Sequence, residues 1–209
     1  MAELKISNFH LALFQKLKKP LADEQFYQIY STVLKYFPFV DQLSNPILTA
    51  RRKEGGEISL NPVFLQFSGM ETKDFDSDMN IAKDIAAVYF SQYKTEKIIQ
   101  VAIRLVSITP AHIINGERKL IINESFRLSS DTKENLNPGG EIKVGVRLVF
   151  QRLGKRYDVK VDPYFTDPEH NYIDLNIVVP NIDKSPEDFY ALVYEEVHFL
   201  EQNISRLIP

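Results

Sequence analysis

A stretch of strict alternation late in the chain constrains the fold more than any other feature. After Glu141, the residues Ile142, Val144, Val146, Leu148 and Phe150 alternate with Lys143, Gly145, Arg147 and Gln151. A period of two with the apolar residues on one side marks a half-buried strand. Leu153-Gly154-Lys155-Arg156 supplies a turn, after which Tyr157, Val159 and Val161 alternate with Asp158, Lys160 and Asp162. Beyond a loop holding Asp162-Pro163 and Asp167-Pro168, Ile173, Leu175, Ile177 and Val179 are set against Asp174 and Asn176. Three such strands with short connections form an antiparallel meander.

A sheet that is apolar on one face needs a cover, and the next segment provides one. Ser185-Pro186-Glu187-Asp188 has the chemistry of a helix start: a hydroxyl at the cap, proline at the first helical position and acids in the first turn. Phe189, Val193, Val197, Leu200, Ile204 and Leu207 then recur three or four residues apart, a single helical stripe. Residues 141–208 therefore read as a meander closed by a long C-terminal helix.

The first half has its own periodicities. Phe9, Leu11 and Leu13 alternate with His10 and Ala12 within a strand over residues 4–14. Asp23 is placed to cap a helix in which Phe26, Ile29, Tyr30, Val33, Leu34 and Phe37 form the stripe, and Pro38 stops it. Asn45-Pro46 opens a strand to Arg52, Gly55-Gly56 turns the chain, and a second strand follows over 57–69 with Asn61-Pro62 as a break. Asp74, Asp76 and Ser77 offer starts for a helix burying Ile81, Ala82, Ile85, Val88 and Tyr89. Residues 97–109 are apolar on both faces, as in a central strand.

This order, strand-helix-strand-strand-helix-strand, is that of a ferredoxin-like domain. The expected class is α+β: a mostly antiparallel sheet, a ferredoxin-like βαββαβ first half, and a three-stranded meander closed by the C-terminal helix. We expect one domain over 1–209, with 1–128 and 141–209 as its possible halves. Between them, His112 to Ile122 fits a hairpin about Asn115-Gly116, and 119–128 equally fits a short helix; 129–140 reads as an exposed loop. No internal repeat is visible.

Composition narrows the chemistry. At 209 residues the chain can bury roughly 70% of its unfolded surface, so stability requires neither metal nor disulfide. The absence of cysteine excludes disulfides, thiolate catalysis, iron–sulfur clusters and cysteine zinc sites. No apolar run is long enough for a membrane span and no leader pattern follows Met1, so the expected compartment is the cytosol.

The four histidines, His10, His112, His170 and His198, stand far apart. Glu195 and His198 have the Glu-x-x-His spacing of four-helix di-iron sites, which also need a second copy that this sequence does not contain. Asp74, Asp76 and Asp78 are explained by helix capping. No phosphate loop, dinucleotide fingerprint or nucleophile elbow occurs. Neither metal nor cofactor is called for, and the reading leans away from an enzyme.

Charge is unevenly placed. Residues 141–160 carry six basic side chains and two acidic ones, while 181–209 carry six acidic and two basic. Alternation puts Lys143, Arg147 and Lys160 on the same sheet face as Asp158, Asp162 and Asp174, where they can pair across strands. Nucleic acid is therefore not the expected partner.

On the C-terminal helix, Tyr190, Tyr194 and Phe199 lie off the main stripe and widen its apolar surface, as in helices buried on two sides or at an interface. Together with Glu195, His198, Glu201 and Gln202 they form the candidate partner-binding residues. The expected function is a non-catalytic protein-interaction module or homodimer working through this helix and its neighbouring strands. The alternative is a small-molecule-binding or enzymatic domain with a pocket between sheet and helices.

Overall fold

A computed structural model describes residues 5–71, 73–110, 113–114, 117–118, 145–164, 167, 170–185 and 188–207. In chain order the elements are β1 (Ile6–Phe14), α1 (Asp23–Leu34), β2 (Phe39–Ser44), β3 (Ile47–Arg51), β4 (Glu57–Leu60), β5 (Phe64–Glu71), α2 (Phe75–Gln92) and β6 (Ile98–Pro110). A short pair, β7 (Ile113–Ile114) and β8 (Glu117–Arg118), precedes β9 (Val146–Arg152), β10 (Lys155–Pro163), β11 (His170–Lys184) and α3 (Phe189–Leu207).

Nine strands form one antiparallel sheet in the order β2-β3-β4-β5-β1-β6-β11-β10-β9. Alternation decides which face is buried. Phe9, Leu11 and Leu13 of β1, Val101, Ile103 and Leu105 of β6, and Ile173, Leu175 and Ile177 of β11 all point one way. They share a single apolar cluster with Ile29 and Val33 of α1, Ile85 and Tyr89 of α2, and Leu192 and Val193 of α3. All three helices thus lie against the same side of the sheet.

The class is α+β with a large antiparallel sheet, and the first half holds more strands than the expected βαββαβ order. Four strands, not two, lie between α1 and α2, and β6 pairs with both β1 and β11, joining the two halves in one sheet. One cause is β2, whose six residues are all exposed and therefore carry no apolar alternation. The other is Asn61-Pro62, which separates two strands: Asn61 Oδ1 accepts from the backbone N–H groups of Val63 (2.8 Å) and Phe64 (3.2 Å), forming a hairpin turn.

Local chemistry explains the remaining boundaries. Gly55 and Gly56 turn β3 into β4 with φ of +86° and +96°, a region glycine enters without steric cost. Asp74 caps α2 by accepting from Ser77 N–H at 3.1 Å. Asp23 is not the cap of α1 but its first residue; its carboxylate accepts from Asn45 Nδ2 at 3.0 Å and fixes the β2–β3 turn. Before α3, the Ser185 hydroxyl and the Asp188 carboxylate are 3.1 Å apart. The expected strand at 142–144, the helix alternative for 119–128, the loop at 129–140 and Pro186-Glu187 lie outside the described residues.

A repeat hidden in the sequence appears in the topology. From the central pair β1–β6, each half leads to a meander that returns from the sheet edge to its own central strand, β5 to β1 and β11 to β6. Each half then ends in a helix, and the two helices run antiparallel, with Tyr190 beside Asn80 and Tyr194 beside Asp76.

Candidate functional site

The C-terminal helix is packed on three sides within the chain. Phe189, Leu192, Val193 and Val197 enter the core. On one flank Tyr190 donates to Asn80 Oδ1 at 3.2 Å, and Lys83 Nζ stands 5.1 Å from the centre of its ring. Tyr194 donates to the Asp76 carboxylate, and its ring meets Phe75 edge-on at 5.9 Å. Burial, reinforced by the hydrogen bond to Asp76, holds the Tyr194 phenol above its ordinary pKa. On the other flank Phe199 lies 5.4 Å from the Tyr157 ring and 4.2 Å from the Arg152 guanidinium.

The extra aromatic width noticed in the sequence is therefore taken up by α2 and by β9–β10. Among its described side chains, α3 leaves outside Ala191, Glu195, His198 and Gln202, a stripe of polar character at spacings of four, three and four. Glu195 stands 3.8 Å from Lys155, His198 stands 2.7 Å from Gln202, and Glu201 lies 3.7 Å from His198. No group of three or more possible metal ligands occurs among the described residues.

Sequence reasoning missed Glu196, which faces inward and is buried. Its carboxylate pairs with the Lys155 ammonium and accepts from Tyr157 Oη at 2.8 Å. Burial first, and then this carboxylate, push the Tyr157 phenol up. Adjacent glutamates so have opposite fates, which the charge count alone could not separate.

Two clefts flank the N-terminus of α2. One, of about 650 Å³, lies between α2, the start of β1 and α3, and is lined by Lys73, Asp74, Asp76, Tyr194, His198 and Glu201 among others. The other, of about 700 Å³, includes Arg52 and Asp78. Arg52 reaches Asp78 with two nitrogens (2.6 and 3.3 Å), Gly55 O (2.7 Å) and Glu71 O (3.0 Å). It clasps the β3–β4 turn, the end of β5 and α2 together, which is a structural use of its charge.

On the helix-free face, basic side chains are matched by acids. Arg147 is bidentate to Asp158 (2.8 and 2.6 Å) and Arg104 to Asp174 (2.8 and 2.9 Å), while Lys160 stands opposite Asp174 in register. No helix of the described residues is long and apolar enough to cross a membrane.

Apolar exposure is concentrated elsewhere, at the β2 edge. Phe39 is 52% exposed, Leu43 49% and Ile47 39%, with Val40 beside them. Register places Val40 and Leu43 on the helix side, opposite buried Ala50 and Leu48, and puts Phe39 and Ser44 on the helix-free side. The outer margin of β2 meets no further strand of the described sheet, so its N–H and C=O groups are left without a ladder.

Comparison with protein-family models and with curated proteins found no match. The surface itself is then the source of a functional reading.

Proposed function

We propose that this chain is a non-catalytic interaction module that docks another polypeptide along strand β2. The observation that carries this reading is the apolar corner at 39–47. Four large exposed apolar side chains fall within nine residues there, three on β2 and Ile47 at the start of β3, at the outer edge of the described sheet. Edge strands are natural templates for an added strand, whose main-chain hydrogen bonds give affinity while side chains give selectivity. Covering Phe39, Leu43 and Ile47 fully from their half-exposed state adds roughly 1 kcal/mol each at ordinary transfer values.

The expected interface on the C-terminal helix becomes a second surface, reduced to Ala191, Glu195, His198 and Gln202. The two are separated by placing a photo-crosslinking amino acid at Phe39 or at Ala191 in the intact chain in cells. A discrete adduct from position 39 is expected. Adducts from position 191 alone would move the docking surface to α3.

Small-molecule binding is the alternative reading, supported by the cleft where Tyr194, His198 and Glu201 meet Lys73 and Asp76. Native mass spectrometry of the gently purified protein should show the bare chain mass or multiples of it; a retained small extra mass would favour the cleft.

A further inference from the structure

We propose that the occupant of the β2 edge is the β2 strand of a second copy, paired antiparallel about a two-fold axis. This rests on β2 being a docking edge and goes further by naming what docks. An axis between Asp41 and Gln42 sets Val40 opposite the partner's Leu43 and Phe39 opposite the partner's Ser44. Both matches keep faces together: Val40 and Leu43 share the helix side, and Phe39 and Ser44 the other. One strand therefore supplies both halves of an apolar contact, as an isologous interface requires.

Charge permits the approach. The strand's single charged residue, Asp41, sits at a register irregularity between Val40 and Gln42. It is held by Arg51 of its own chain, at 2.5 and 2.6 Å to the two carboxylate oxygens. In the proposed register Asp41 faces the partner's Gln42, so no carboxylate meets another. The opposite edge of the described sheet is built differently. Strand β9 exposes Arg147, Gln151 and Arg152 around Val149, the charged character by which edges resist pairing. A β2 edge joined to β9 of the next copy would leave both ends open and grow without closing, whereas β2 on β2 closes as a dimer.

The test uses the full chain in sedimentation velocity over a wide concentration range. The wild type should be a dimer at micromolar concentration. Val40→Lys and Leu43→Lys should each shift it to monomer by at least tenfold in dissociation constant, without altering the circular dichroism spectrum. The chain has no cysteine, which allows a register test independent of those variants. On mild oxidation, Val40→Cys mixed with Leu43→Cys should cross-link more than either alone, since directly opposed Cβ atoms lie about 5 Å apart.

A wild type that stays monomeric, a dimer indifferent to both lysines, or cross-linking through Val149→Cys instead would each overturn the proposal. The photoprobe at position 39 separates this failure from that of the docking reading. An adduct of twice the chain mass supports self-pairing, and an adduct with a different polypeptide refutes it while leaving docking intact. No adduct at position 39 overturns both.

Discussion

His10 shows how much a single side chain can report. It projects on the helix-free side of β1, where the pairing with β5 shifts register and Gly69 N–H donates to its Nδ1 at 3.1 Å. That bond requires an unprotonated Nδ1. Burial first, and the nearby Arg104 guanidinium second, hold the imidazole below its ordinary pKa, against a smaller opposite pull from Asp174. The sign follows: as pH falls through about 6.5 the unfolded chain gains the proton before the folded one does, so stability is full above that value and declines below it. Thermal melts between about pH 7.5 and 5.5 should therefore slope more steeply for the wild type than for His10→Gln. Parallel slopes would remove His10 from the account. The alternation of residues 4–14 located this histidine on a strand, but not the register shift that brings Gly69 to it, because pairing partners are far apart in sequence.

At the scale of elements, legibility followed burial. The meander, α2 and α3 were readable because their apolar positions recur at the period of their own backbone. β2 was not, since Phe39-Val40-Asp41-Gln42-Leu43-Ser44 is exposed throughout and so leaves no pattern to detect. Its available signal was weaker: apolar residues confined between Pro38 and Asn45-Pro46. The α3 aromatics gave the opposite difficulty. A wide apolar helix is compatible with an interface or with burial on several sides, and only contact with Phe75, Tyr157 and Arg152 tells them apart. The seating of α3 on β10 depends on a buried charge pair, with the Glu196 side chain 2% exposed beside Lys155. Lys155→Met should cost about 3–5 kcal/mol, because it strands that carboxylate away from water. Lys155→Met with Glu196→Leu should recover most of the loss in urea titrations; a double variant as unstable as the single one would show that the pair is not what couples helix to sheet.

At the scale of the whole molecule, one sheet and one apolar cluster run through both halves. Such continuity predicts a single unfolding transition, with near- and far-ultraviolet circular dichroism coinciding along a denaturant titration. Two separated transitions would divide the chain at the region between β6 and β9.

The position of β1 has a further consequence, in time. Among the nine strands of the described sheet it is synthesised first, yet both of its neighbours come much later, and Ser7 bonds to Val106 across 99 positions. At synthesis rates of about 5–20 residues per second, that separation keeps β1 waiting for roughly 5–20 seconds before its second partner exists. The strand that finally sits at the centre of the sheet is thus the one left longest with both margins open. While the sheet is being made, misassociation is therefore most to be feared at β1.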